Sequence, residues 1–391
     1  MNHSGGTNRR AWLQSALTCA AGCSPMALWA AMPATEPLAR KTLKFPRDAG
    51  AHPDFRTEWW YLTGFAHVGT MQAALGFQVT FFRSRVDATQ AMQSPLAAKQ
   101  LLFAHAAVTD VQGKKLWHDQ RIARWSGAAP GERTSDTASA SIEHTAIRLR
   151  DWSLTMEGAT GGGDARPVIS ANVMTADFSL DLQLAAPQAV LLQGDQGLSR
   201  KGPNAAQASY YYSRPQLQVQ GSIGLRGKRY PVGAGSTAWL DHEWSQALLA
   251  PQAVGWDWIG INLLDGSALT AFQLRDKDGQ ALWDGGSFRS APNASAAGGV
   301  RYAFTRGEVL FRPLRQWRSP LSKASYPVEW IVRTPADYYT VKAVVDNQEL
   351  DSRQSTGAIY WEGLCEVWDS NSKLVGRGYL EMTGYASALT L

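Results

Sequence analysis

From residue 42 to residue 391 the chain is dominated by apolar and polar side chains alternating with a period of two. Phe178, Leu180, Leu182 and Leu184 interleave with Ser179, Asp181 and Gln183, and Leu217 and Val219 repeat the pattern among glutamines. Such strands bury one face and wet the other. Residues 256–261 and 271–275 flank Asp265-Gly266, a hairpin signal, and Asp278-Gly279 supplies the next turn. Long helical periodicity is absent outside the N-terminal leader, and residues 94–102 are the best candidate for a short helix. Residues 126–141, 158–166 and 290–299 read as loops because Gly, Ala, Ser and Thr crowd them.

Alternation lapses over residues 245–254, so the expected division is a leader over 1–40, one unit over 41–245 and a second over 246–391. Each unit has roughly the strands that close a small barrel, whose interior can hold one small ligand. The fold class expected is all-β.

Composition sharpens this picture. Only 18% of the 391 residues are charged, while 36 Gly and 16 Trp suit a turn-rich β protein with large rings in its interior. The net charge of +5 comes from scattered Lys and Arg, with no nucleic-acid motif. The seven His are dispersed without HxxxH, HxH or CxxC spacing, so the expectation is no metal and no cofactor. Of three Cys, Cys19 and Cys23 lie in the leader, which leaves Cys365 and no internal disulfide.

The leader itself reads as an export signal. Arg9-Arg10 precedes Ala11-Trp12-Leu13-Gln14 and a mildly apolar stretch, the twin-arginine pattern, and Ala20-Ala21-Gly22-Cys23 resembles a lipobox. Two outcomes stay open: a soluble periplasmic or secreted protein cleaved after a small residue, or a lipoprotein anchored through diacylated Cys23.

Chemistry is most concentrated in WLDHEW at 239–244, where Asp241, His242 and Glu243 stand between Trp239 and Trp244. A base titrating near neutrality, flanked by carboxylates and enclosed by indoles, suits proton transfer in an apolar pocket. In a regular strand Asp241 and Glu243 point one way and His242 the other, with Trp244, so a bulge or a carboxylate from another strand, such as Glu58, must complete an acid/base pair. In EWWY at 58–61, Glu58 and Trp60 share a face. Glu58 is a candidate either for catalysis or for a structural ion pair with Arg83. Tyr211, Trp256 and Trp258 are candidates for a ligand wall or for core packing, whereas YWEG at 360–363 reads as packing and a turn. No GxSxG elbow marks a serine esterase.

Eight motifs in order carry a family resemblance: FPRDAGAHP at 45–53, EWWYLTG at 58–64, GFQVTFFR at 76–83, GLSRKG at 197–202, ASYYYS at 208–213, WLDHEW at 239–244, YWEG at 360–363 and GYLEMTGY at 378–385. Together they resemble the AttH-like and carotenoid 1,2-hydratase-like family, over residues 45–385. The resemblance implies two lipocalin-like antiparallel β-barrels packed together, with the WLDHEW strand near their junction. It further implies a small hydrophobic molecule or lipid as partner, no nucleic acid, and either a cofactor-independent hydratase or hydrolase or a carrier serving an ABC-type export system. His242, Asp241, Glu243 and Glu58 are then the catalytic candidates, and Trp60, Tyr211, Trp244, Trp256 and Trp258 the ligand-binding ones.

Overall fold

The alternating segments pair into antiparallel strands in a computed structural model that describes residues 36–69, 73–94, 97–127, 137–158 and 166–389. In the first sheet the strand order is Lys115–Trp125, Gln100–Asp110, Ala73–Arg85, Thr57–Val68, Thr237–Ala247, Ala208–Leu225, Phe178–Ala185, Val168–Met174, Trp152–Glu157, Ala146–Leu149, Ala138–Ala140. Its far ends touch, Lys115–Trp125 against the strands at Ala138–Ala140 and Ala146–Leu149, so the sheet curls into a nearly closed barrel. The second sheet runs Arg301–Phe304, Ala281–Arg289, Ala268–Arg275, Gly255–Leu263, Leu374–Met382, Ile359–Trp368, Tyr338–Ala343, Glu329–Arg333, Leu310–Pro313. The fold is all-β, two lipocalin-like barrels within one unit, Glu36–Leu391.

Both barrel interiors are packed with side chains. Trp60, Phe77, Phe81, Trp125 and Trp152 fill the first, and Trp330, Trp361, Tyr326 and Met382 help to fill the second. Each ring so buried contributes about 2–3 kcal/mol of apolar transfer free energy. The barrel interiors are thus core rather than ligand cavities, with Trp60 among the rings that fill them. A third apolar cluster, including Tyr61, Trp239, Trp258, Phe272 and Leu364, draws on both sheets and joins them.

The hairpins at Asp265-Gly266 and Asp278-Gly279 form where the turn dipeptides place them, with Gly266 and Gly279 at φ +90° and +78°. The expected helix at residues 94–102 is not seen among its described residues, 94 and 97–102. Residues 100–102 open the strand Gln100–Asp110, and the described residues contain no α-helix, only 3-10 turns at Arg47–Ala49 and Asp87–Thr89. The run is apolar on both faces because both are covered: Leu102 and Ala104 enter the first barrel while Leu101 and Phe103 border a cavity between the sheets. Ala138–Ala140 likewise forms a strand inside the stretch read as a loop.

Candidate functional site

Register across three neighbouring strands decides which side chains meet. Tyr61, Asp241 and Ser213 are aligned across Thr57–Val68, Thr237–Ala247 and Ala208–Leu225, and the next row on the same face is Trp59, Glu243 and Tyr211. Between them, on the opposite face, lies the row Trp60, His242 and Tyr212. The sheet thus sorts the Asp-His-Glu triplet into two environments.

The face carrying Asp241 and Glu243 meets the second sheet around a cavity of about 430 Å³. Trp59, Tyr61, Phe82, Phe103 and Tyr211 line it from the first sheet, and Trp256, Trp258, Phe272, Glu362 and Glu381 from the second. Asp241 is buried in its wall with three donors: Tyr211 Oη to Oδ2 at 2.5 Å, Ser213 Oγ to Oδ1 at 2.5 Å and Trp239 Nε1 to Oδ1 at 2.6 Å. Trp258 Nε1 donates in turn to Tyr211 Oη at 3.1 Å. Burial raises the Asp241 pKa to about 7, outweighing those donors, each of which favours the carboxylate. Asp241 is thereby poised to give or take a proton near neutrality. Glu243 is instead held as an ion pair, with Lys201 Nζ 3.0 Å from Oε1 and the Ser209 hydroxyl donating to the same oxygen. Lys201 lies over the Phe272 ring at 4.1 Å and the Tyr211 ring at 4.8 Å.

His242 is on the other face and does not border the cavity. It is fully buried, stacked on Trp60 at 4.6 Å, and its Nε2 donates to Glu58 Oε1 at 2.9 Å while Tyr212 Oη lies 3.2 Å from Nδ1. Burial lowers its pKa to about 4 against the opposing pull of Glu58, so the imidazole is neutral. Glu58, at the cavity edge, also accepts from His52 Nδ1 at 2.7 Å, from the His52 backbone N–H and from Arg83 Nε at 2.7 Å. Burial alone pushes this carboxyl up, but Arg83, His52 and His242 together hold it well below the usual range. The structure thus brings Glu58 to His242, as an acid/base pair requires, but keeps His242 off the cavity and locks Glu58, at its edge, to Arg83. Trp60 and Trp244 belong to this sealed cluster, Trp244 stacking on His52 at 3.8 Å. Tyr211, Trp256 and Trp258 do line the cavity.

His52, Glu58 and His242 each present one potential metal-ligand atom, all within 4.8 Å of one another. Residue spacing could not show this grouping, because a loop, one strand and a distant strand supply it. The Arg83 guanidinium already neutralises Glu58, and both histidines direct ring N–H groups at it. The donor set is thus satisfied as an ion-paired network, into which a divalent ion would bring further positive charge beside a buried guanidinium.

Among the polar groups at the cavity that the sequence does not single out are Lys201, Glu362, Glu381 and His105. Glu362 was assigned to packing and a turn, yet it lies mid-strand facing the cavity, with neither carboxyl oxygen at hydrogen-bond geometry to any partner. The signal available was a lone Glu in each of two apolar strand segments, YWEGL and GYLEM. His105, also at the cavity, has Nδ1 2.8 Å from Tyr360 Oη and Nε2 2.8 Å from Ser355 Oγ. Gln120 Oε1 accepts the hydrogen bond that the Ser355 hydroxyl donates at 2.6 Å, so His105 Nε2 donates to Ser355 and cannot serve as its base. Burial lowers the His105 pKa to about 3. This network straps the loop after Ser352 to the first sheet.

An all-β pair of lipocalin-like barrels defines the fold class, and similarity to known proteins gives the family. Residues 36–385 match the family described as AttH-like, and the chain belongs to that family. A crystal structure of a Nitrosomonas europaea AttH is 43% identical, covering 89% of this chain and 98% of its own, with a TM-score of 0.77. Kievitone hydratase from Nectria haematococca shares the fold at 13% identity, covering 90% and 98% of the two chains, with a TM-score of 0.63. CghA aligns at 12% identity over 86% and 90%, with a TM-score of 0.50. No curated protein sequence matches the chain.

Proposed function

We propose that this protein is exported, holds an apolar, unsaturated molecule between its two barrels, and adds water across a double bond of that molecule without a cofactor. Asp241 carries the reading, as a buried carboxyl on the wall of an aromatic cavity whose pKa is raised to about 7. Its proton passes to one alkene carbon, the π pair becomes the new C–H bond, and the neighbouring carbon is left as a cation. Trp256 and Trp258 faces stabilise that cation by about 2 kcal/mol in a desolvated site. Water adds to it, and the proton it releases returns to the Asp241 carboxylate, restoring the acid. The fold shared with a kievitone hydratase supports this reaction class.

Glu243 and Lys201 hold the polar end of the wall, and His242, Glu58, Trp60 and Trp244 support the strand that positions Asp241. Export rests on Arg9 and Arg10, and lipidation on Cys23, all outside the described residues. A carrier of a hydrophobic product for an ABC-type export system would use the same cavity and leave Asp241 idle. Retinol, an apolar polyene, is expected to quench the cavity tryptophans of the purified protein, and Trp258→Ala to weaken its binding. Unquenched fluorescence at saturating retinol would argue against an apolar ligand site.

A further inference from the structure

The second sheet contributes two carboxyl groups that the hydration scheme leaves unused. Glu362 and Glu381 are cross-strand partners on Ile359–Trp368 and Leu374–Met382, so their side chains leave the sheet on one face, with Cβ atoms roughly 5 Å apart. Both border the cavity. Glu362 is only 3% exposed, and neither of its oxygens makes a hydrogen bond of good geometry, the nearest hydroxyls being those of Tyr61 and Tyr360. Of the other buried carboxylates nearby, Glu58 has Arg83, Glu243 has Lys201 and Asp257 has Arg275, while Asp241 has no cation but three hydrogen-bond donors. Among the described residues no Lys or Arg forms an ion pair with Glu362 or Glu381. The Tyr61 hydroxyl, also on the cavity wall, makes no hydrogen bond of good geometry and lies near enough to the Glu362 carboxyl to interact with it. An unpartnered buried carboxyl costs about 1–3 kcal/mol, and it does so here at the point where a ligand would supply the missing contact.

We propose that Glu362 and Glu381 form a proton-sharing acid–base pair that enolises an apolar ketone bound in the cavity, giving the protein a cofactor-free double-bond isomerase activity. The proposal rests on the reading of the cavity as an apolar ligand site. Two adjacent carboxyls in a water-poor site cannot both ionise, so the pair keeps at least one proton, and once the other is lost, as pH rises through about 8, it is acid and base at once. Burial holds both well above the usual carboxylate range, and the Glu362 charge adds to the effect on Glu381.

The ionised member removes a proton from the carbon next to the carbonyl. That C–H pair becomes the carbon–carbon π bond of an enol, while the carbonyl π pair takes the proton of the neutral member. Tyr61 is placed to donate a hydrogen bond to the same oxygen. In the return step the enol O–H proton goes back to one carboxylate and the proton held by the other goes to carbon. It returns to the original carbon, or to the far end of a β,γ double bond to leave the conjugated ketone. Protons taken and given balance, and neither water nor an oxidant is consumed.

The test is the exchange of α-hydrogens of 2-tetralone, an apolar bicyclic ketone, in D₂O, followed by proton NMR with the full chain. Wild type is expected to exchange at least about 10²-fold faster than buffer. Glu362→Gln and Glu381→Gln should each return the rate to that of buffer while 2-tetralone still quenches tryptophan fluorescence. Exchange at the buffer rate with the ketone bound overturns this proposal and leaves the ligand site standing; no quenching by the ketone overturns both. Infrared spectra need no ligand. A protonated-carboxyl stretch at neutral pH is expected that Asp241→Asn retains, and its absence from that variant overturns the proton held by the pair.

Discussion

Glu58 and Asp241 are buried carboxyls on adjacent strands whose surroundings drive them in opposite directions. Glu58 faces a guanidinium and two imidazoles and stays ionised; Asp241 faces only neutral donors, so burial prevails and its proton is retained up to about pH 7. Each assignment is testable. Glu58→Gln leaves Arg83 as an uncompensated buried charge and is expected to cost about 3–5 kcal/mol in chemical denaturation. Asp241→Asn is expected to lower turnover by about 10² or more, and wild-type kcat/KM to fall as pH rises through about 7, because the protonated acid is the active form. An activity rising through pH 7 would contradict the donor role. The local sequence showed that Asp241 and His242 face opposite ways. It did not show which face meets the cavity, because that depends on the packing of the two sheets.

At the scale of elements, strands and their turns were legible because period two and the Asp-Gly dipeptides are local properties. Residues 94–102 misled for an equally physical reason: a strand covered on both faces loses its alternation and resembles a buried helix segment. The pairing of Glu362 with Glu381 was hidden, since cross-strand register is set by a hairpin and a bulge between Val367 and Trp368. Close packing imposes its own constraint at Gly260, where an added Cβ would lie 2.2 Å from the Trp258 ring and 3.2 Å from Trp239. Gly260→Ala is therefore expected to displace Trp258 from the cavity wall, to cost about 1–3 kcal/mol and to shift the tryptophan emission. Unchanged emission and stability would show that the indole does not lie over this glycine.

For the whole molecule, the two kinds of buried acid make opposite contributions to stability as pH changes. Glu362 and Glu381 bind protons more tightly when folded, so their contribution is complete below the ordinary carboxylate pKa and is lost as pH rises through their elevated values. Glu58, held low, contributes above the ordinary value and loses that contribution as the medium becomes strongly acidic. His242, also lowered, loses its contribution as pH falls from about 6.5, its ordinary value, towards about 4. Melting temperature is thus expected to decline on the alkaline side, and Glu362→Gln to flatten that decline while changing little at pH 5. A parallel shift at all pH values would show that Glu362 does not carry the proton.

Export is a property of the whole chain as well. Replacing both Arg9 and Arg10 with Lys should retain the precursor in the cytoplasm, and unimpaired export of that variant would exclude the twin-arginine route.

The central claim, an apolar molecule between the barrels that gains water through Asp241, is tested most directly by mass spectrometry. Organic-soluble compounds released from the purified protein would be incubated with it in ¹⁸O-labelled water and weighed again. The expected result is a compound that gains one labelled water with wild type and none with Asp241→Asn. Recovery of the compound at unchanged mass from both proteins would contradict the hydratase and establish a carrier.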